Sequence, residues 1–244
     1  MKTVTVGTNG MVKSAMTRHL MVRKALLVCG IVSSLLYVIA TIVGAMRWEG
    51  YNSISQTVSE LSAIDAPSRP FVIPLFLTYS VLVIAFGLGV WASSREKRAL
   101  RVMAGLLIVY GVVCLLGPFT PMHLRGVEPT LTDTLHVIGA AVDVLLIFLI
   151  IGFGTNAFGK RFRLYSIGTM LVLLVVGALA GSDGPRVAAN LPTPWAGVTE
   201  RINIFGFMLW VAVLAIALLR RQSDNLRLND REKIVRPEAV ANRL

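Results

Sequence analysis

Ala25-Leu-Leu-Val-Cys-Gly-Ile-Val-Ser-Ser-Leu-Leu-Tyr-Val-Ile-Ala-Thr-Ile-Val-Gly-Ala-Met46 is a run of 22 residues without a single charge. Its length decides the fold. A helix rises 1.5 Å per residue, so about 20 apolar residues cross the ~30 Å hydrocarbon core of a bilayer. Arg23 and Lys24 precede the run, as they would a secretory signal, but a signal's apolar region has only about 7 to 15 residues. An uncleaved spanning helix is therefore expected over 25–46.

Five further runs follow, at Phe71 to Ala92, Val102 to Phe119, Thr134 to Thr155, Leu164 to Gly181 and Ile202 to Leu219. Lipid offers no partner for a backbone amide, so each segment must pair its own, and unbroken apolar runs lacking the period-two alternation of a barrel strand do so only as helices. The expected fold is all-α, a polytopic membrane bundle of six transmembrane helices over 25–219, flanked by basic tails at 1–24 and 220–244. Composition agrees: the 244 residues are 55% hydrophobic and 15% charged, with mean hydropathy +0.71, against about 25% charged residues in soluble domains.

The net charge of +11 would suggest nucleic acid if it lay on a soluble face. Its distribution gives another reading. Of the 24 Lys and Arg residues, 19 fall in the two tails and in the second and fourth connections, and Arg47, Arg69, Arg125, Arg186 and Arg201 alone fall on the other side. By the positive-inside rule both termini are cytoplasmic. The basic side then faces anionic lipid headgroups, so the expected partners are membrane lipids and not nucleic acid, with a homo-oligomer also admissible. The polar segment from Arg221 to Leu244 is expected to be disordered or loosely attached to the surface. Cys29 and Cys114 lie at different depths of apolar runs and are expected as unpaired small hydrophobes. Gly177 and Gly181 form one G-x-x-x-G, expected to mark a close helix contact.

The outer connections, Arg47 to Pro70, Thr120 to Asp133 and Ser182 to Arg201, are the longer ones, and loops carry function more often than spans. In the first, helical spacing places Ile54, Val58 and Leu61 on one side and Asn52, Ser55, Gln56 and Ser59 on another. A short amphipathic helix on the membrane surface is expected there, with Ser53 and Gln56, or Thr57 and Glu60, as capping boxes. Trp48, Tyr51 and Trp195 suit an outer interfacial belt and Trp91 an inner one. Glu200 suits the start of the sixth helix, whereas Arg201 opposes the helix dipole and calls for an anionic partner such as Asp133, Glu60 or a lipid phosphate.

On the fourth helix, Asp133, His136 and Asp143 recur along one face. Asp143 should lie roughly 13 Å deep, facing the bundle and either paired or neutral. At matching depth Tyr37, Ser80, Tyr110 and Trp210 are its candidate partners. For metal, His123, His136 and Asp133 are the candidates to consider, but no zinc motif such as H-E-x-x-H occurs, and neither metal nor cofactor is expected. A nucleophile elbow and a phosphate loop are also absent from the sequence.

Ser-Gln-Thr-Val-Ser-Glu-Leu at 55 to 61, His136, and Trp195-x-Gly197-x-x-Glu200-Arg201-Ile202 before the sixth run resemble the uncharacterised prokaryotic membrane family catalogued as domain of unknown function 998. The resemblance covers roughly residues 25 to 220. It implies a six-helix protein of a prokaryotic cell membrane, and it carries no assigned activity or catalytic residue. The expected function is binding of a lipid headgroup or small ligand in an outer polar pocket of Ser55, Ser59, Glu60, His136, Glu200 and Arg201. Two alternatives stand beside it: a membrane-embedded lipid hydrolase or transferase, with His136 as base oriented by Asp133 or Glu60, and a proton-coupled transporter using Asp143. Whether the chain is an enzyme stays open at this point.

Overall fold

A computed structural model describes the backbone of residues 5–94 and 97–241, and the side chains of residues 16, 18–94 and 97–228. The chain forms α1 (Thr5–Met46), α2 (Arg69–Ser93), α3 (Arg98–Leu116), α4 (Leu131–Gly154), α5 (Lys160–Ala188) and α6 (Ala196–Ala241), with 3-10 turns at Ser59–Ser62 and Gly117–Phe119. No strand occurs among the described residues. All six helices contain a stretch long and apolar enough to cross a membrane, and the protein is a multi-pass membrane bundle.

The helices form a ring in the order α4, α3, α2, α1, α6, α5, and the ring is thinnest where α4 meets α5. Leu27, Phe86, Met103, Leu107, Ile150, Phe207, Trp210 and Leu214 fill its centre. Lipid drives helices together no more than a Leu side chain would, so close packing needs small residues. A Cβ on Gly154 would stand 2.6 Å from the Trp210 ring, and one on Gly30 would stand 2.7 Å from Phe86. The buried indole N–H of Trp210 is satisfied by Ser166 Oγ at 2.9 Å. Gly177 of the G-x-x-x-G lies near Asn203, where an added Cβ would meet Oδ1 at 3.3 Å, while Gly181 touches nothing within 4 Å.

The segments before the apolar run of α1 and after that of α6 meet at one face of the bundle. Gln222 Nε2 donates to the Leu20 carbonyl at 3.1 Å and Arg23 Nε to Gln222 Oε1 at 3.2 Å. At the same end Lys97 Nζ reaches the Ala157 carbonyl across the α2–α3 and α4–α5 turns at 3.2 Å. The three long loops occupy the opposite face and cover it.

Four elements differ from what the sequence suggests, the first being α1, which begins at Thr5, well before its apolar run. α5 runs beyond the apolar stretch at both ends, to Lys160 and Ala188, and α6 continues to Ala241 where a disordered or loosely attached tail was expected. Extending a helix already nucleated in the membrane costs little, and the Arg, Gln, Leu, Lys and Glu that follow Leu219 are good helix formers. Residues 1–4 and 242–244 of the tails lie outside the described residues. In the fourth case, the amphipathic helix expected around 51–61 does not form. Asn52 Oδ1 takes the Ile54 N–H at 2.9 Å and Gln56 Oε1 takes the Asn52 N–H at 2.8 Å, so side chains capture the amides that a helix would use. Ile54 is exposed, while Val58 and Leu61 pack with Val72 under the loop.

Candidate functional site

The outer loops meet over two carboxylates. Glu60 is almost fully buried, with 1% of its surface exposed, and an apolar chain can hold such a charge only with a partner. Arg125, from the α3–α4 loop, supplies it: Nε donates to Glu60 Oε1 at 2.6 Å and Nη2 to Oε2 at 2.9 Å, a two-pronged pairing. The carboxylate raises the guanidinium's pKa above its ordinary value. Arg125 also donates to Thr193 Oγ1 at 2.7 Å and to the Ser55 carbonyl at 3.0 Å, so one side chain ties all three loops. Thr57 and Glu60 cap each other, with Thr57 N–H to Oε2 at 2.7 Å and Glu60 N–H to Thr57 Oγ1 at 3.2 Å.

Glu200, in the first turns of α6, accepts from Ser59 Oγ at 3.0 Å and from the Val58 N–H. Arg201 beside it has no carboxylate partner among the described residues. Its Nη1 donates to the carbonyls of Ser53 at 2.8 Å, Gln56 at 2.9 Å and Gly197 at 3.0 Å, and Nη2 donates to Tyr51 Oη at 2.7 Å. The expected anionic partner is thus replaced by four neutral oxygens, whose dipoles offset the unfavourable helix end. The Tyr51 hydroxyl in turn donates to the Thr57 carbonyl at 2.6 Å. Burial pushes this phenol up to about 12, so it remains a donor at any physiological pH. Tyr51 is therefore a strut of the cap.

Asp133 holds the α3–α4 loop onto the start of α4. It accepts the His123 N–H at 2.7 Å and the His123 ring Nδ1 at 2.8 Å, and it closes a capping box with Thr130. The carboxylate orienting a histidine is found, but the histidine is His123. His136, one turn further into α4, lies within 3.1 Å of the Thr120 carbonyl through Nδ1. A carbonyl only accepts, so Nδ1 carries the proton and Nε2 is left as an acceptor. Neither Asp133 nor Glu60 orients His136, because each is engaged elsewhere. Among the described residues no three His, Cys, Asp or Glu side chains gather as metal ligands would.

Asp143 follows His136 on the same face, two turns deeper, and is half-buried. Its one described hydrogen-bond partner is the Cys114 thiol, at 3.9 Å from Oδ1. Of the expected partners, Tyr110 joins hydroxyls with Tyr79 at 3.1 Å, Ser80 bonds the Phe76 carbonyl at 2.9 Å, Trp210 bonds Ser166, and the Tyr37 ring stacks on Phe76. Cys114, read from sequence as an unpaired small hydrophobe, sits between Tyr110, one turn before it on α3, and Asp143. Both cysteines are free.

The predicted pocket residues therefore divide. Ser59, Glu60, Glu200, Arg201 and the backbone of Ser55 are bonded into one cap, and His136 stands apart from them with Asp143 below it. Arg125 and Thr193 are the participants that the sequence did not single out. A family model described as Protein of unknown function (DUF998) matches residues 31–217. No curated protein and no solved structure matches the chain.

Proposed function

We propose, for a chain that belongs to the DUF998 family of proteins of unknown function, that it binds the polar head of a lipid or a small ligand on the outer half of α4. His136 and Asp143 make the contacts, under a cap stiffened by Glu60, Arg125, Glu200 and Arg201. The setting is a prokaryotic cell membrane with both termini in the cytoplasm, a reading supported by the basic residues gathered on the terminal side.

The observation that carries this reading is Asp143, an ionisable side chain in a spanning helix whose described partner is a single thiol at 3.9 Å. Thiols are weak donors, and an intramembrane carboxyl needs more than that. The cap carboxylates, by contrast, are bonded inside the protein and have little capacity left for a ligand. Asp143 and His136 Nε2 both accept, so the ligand is one that donates, bearing a hydroxyl or an ammonium group. Entry from the side is favoured where α4 and α5 touch least.

Asp143→Leu tests this directly, since leucine has a similar volume and is at home in lipid. Extracts of the full chain purified in mild detergent should show a retained species by mass spectrometry, in the organic phase for a lipid or the aqueous phase for a soluble ligand. Loss of a charge-assisted hydrogen bond should reduce that species roughly tenfold or more in the variant. Equal retention by both proteins would remove Asp143 from the site.

A second reading, a lipid hydrolase or transferase, draws on the His123–Asp133 pair. The carboxylate fixes the Nδ1–H tautomer and leaves Nε2 free as a base. No described hydroxyl or thiol bonds to that nitrogen, so water would be the nucleophile. Hydrolysis of labelled phospholipid vesicles by the wild type but not by His123→Ala is the expected signature, and equal rates would sink it. The transport reading has less support: towards the terminal face α4 carries Leu146, Ile150 and Ile151, buried in the apolar core with Met103 and Leu107.

A further inference from the structure

The terminal face carries a feature unrelated to the α4 chemistry. Between the α4–α5 turn and α6 lies a groove with an apolar wall of Phe158, Val213, Ile216 and Ala217, which ends in Arg220 and Arg221 with Asp224 beside them. We propose that this groove binds one anionic phospholipid of the adjoining leaflet, with an acyl chain along the apolar wall and the phosphodiester on the two guanidinium groups.

The polarity of the groove matches that of the lipid along its length. Positions 213, 216, 217 and 220 share one face of α6, following helical spacing, and that face changes from aliphatic to guanidinium within a single turn. The change falls where the apolar run of α6 ends, at Leu219, which is where a phosphate plane is expected. Ile216 is 39% exposed, as a residue facing an acyl chain would be.

The arginines are also available. Both are exposed, and neither has a protein partner among the described residues, although Asp224 stands four positions after Arg220, where a helical ion pair could close. Other polar side chains of this face are used within the protein, Gln222 against Leu20 and Lys97 against Ala157. The guanidinium fork suits a phosphate better than an ammonium does. Exposed Lys160 and Arg161 at the start of α5 add attraction for an anion. Asp224 disfavours a second negative charge, which selects a monoanionic phosphodiester such as phosphatidylglycerol.

The test uses the full chain in mild detergent with phosphatidylglycerol and phosphatidylcholine of identical acyl chains, read by native mass spectrometry. One phosphatidylglycerol per chain is expected, favoured about tenfold over phosphatidylcholine. Arg220→Gln/Arg221→Gln should abolish that preference. Arg98→Gln/Arg163→Gln removes the same charge at the same face outside the groove and should keep it. Ala217→Trp, which fills the apolar wall and leaves both arginines in place, should weaken binding as well. Equal losses in the two arginine pairs would mean a diffuse basic surface and overturn the proposal. Unchanged binding in Ala217→Trp, or full competition by glycerol phosphate alone, would overturn the seating of an acyl chain.

Discussion

Arg125→Met is expected to destabilise the folded protein by about 3–5 kcal/mol, the range for removing one member of a buried ion pair. The geometry places the pair in that class. Glu60 is 1% exposed and the Arg125 side chain 17%, so water cannot replace the lost guanidinium. The substitution leaves a carboxylate with only the Thr57 donors and removes the bonds to Thr193 and Ser55, so all three loops lose their common tie. Unfolding midpoints in detergent, together with protease cleavage of the first outer loop, measure both effects. The double variant Glu60→Gln/Arg125→Met should lose less than the Arg125 single, because no unpaired charge remains, and the non-additivity reports the coupling. A loss below about 1 kcal/mol for Arg125→Met would place the pair among solvated surface salt bridges.

Arg125 also illustrates how far the sequence could be read. The six spans were legible because hydropathy accumulates along contiguous residues, and no long-range contact is needed to recognise them. Glu60, Glu200 and Arg201 stood out for a related reason: charged side chains are scarce in a chain that is 15% charged, and the outer loops hold several. Pairing was not legible. Arg125 lies 65 positions from Glu60, and only the path of the loops brings them together. Asp133 and His136 were read as partners from helical spacing, but Thr130-x-x-Asp133 is also a capping box, and the local bond prevailed. That motif was the available signal, since a carboxylate at the third helical position turns back towards the cap and away from the residue one turn on. Helical spacing placed Asp143 on the His136 face of α4, whereas its neighbour Cys114 was not legible, because Ser80, Tyr110 and Trp210 each bond a nearer oxygen.

Gly197→Ala is the second substitution with a large expected effect, about 3 kcal/mol, at the upper end for overpacking. An added Cβ would stand 2.2 Å from the Gln56 carbonyl oxygen and 2.5 Å from that of Ser53. Both are backbone atoms, so no rotamer change relieves the clash, and the first outer loop must move away from α6. Those two carbonyls are also acceptors for Arg201, and the neighbouring Val198 N–H docks onto the Ile54 carbonyl at 3.2 Å. A displacement large enough to admit one methyl group therefore breaks bonds on both sides of it. Gly181→Ala is the matched control, with nothing within 4 Å of the added atom and a helix-propensity gain of up to about 1 kcal/mol. The two variants should shift the unfolding midpoint in opposite directions, and only Gly197→Ala should expose the 51–61 loop to protease. Equal midpoints would mean that the loop is not docked on α6, and Glu200 and Arg201 would then be free to meet a ligand themselves.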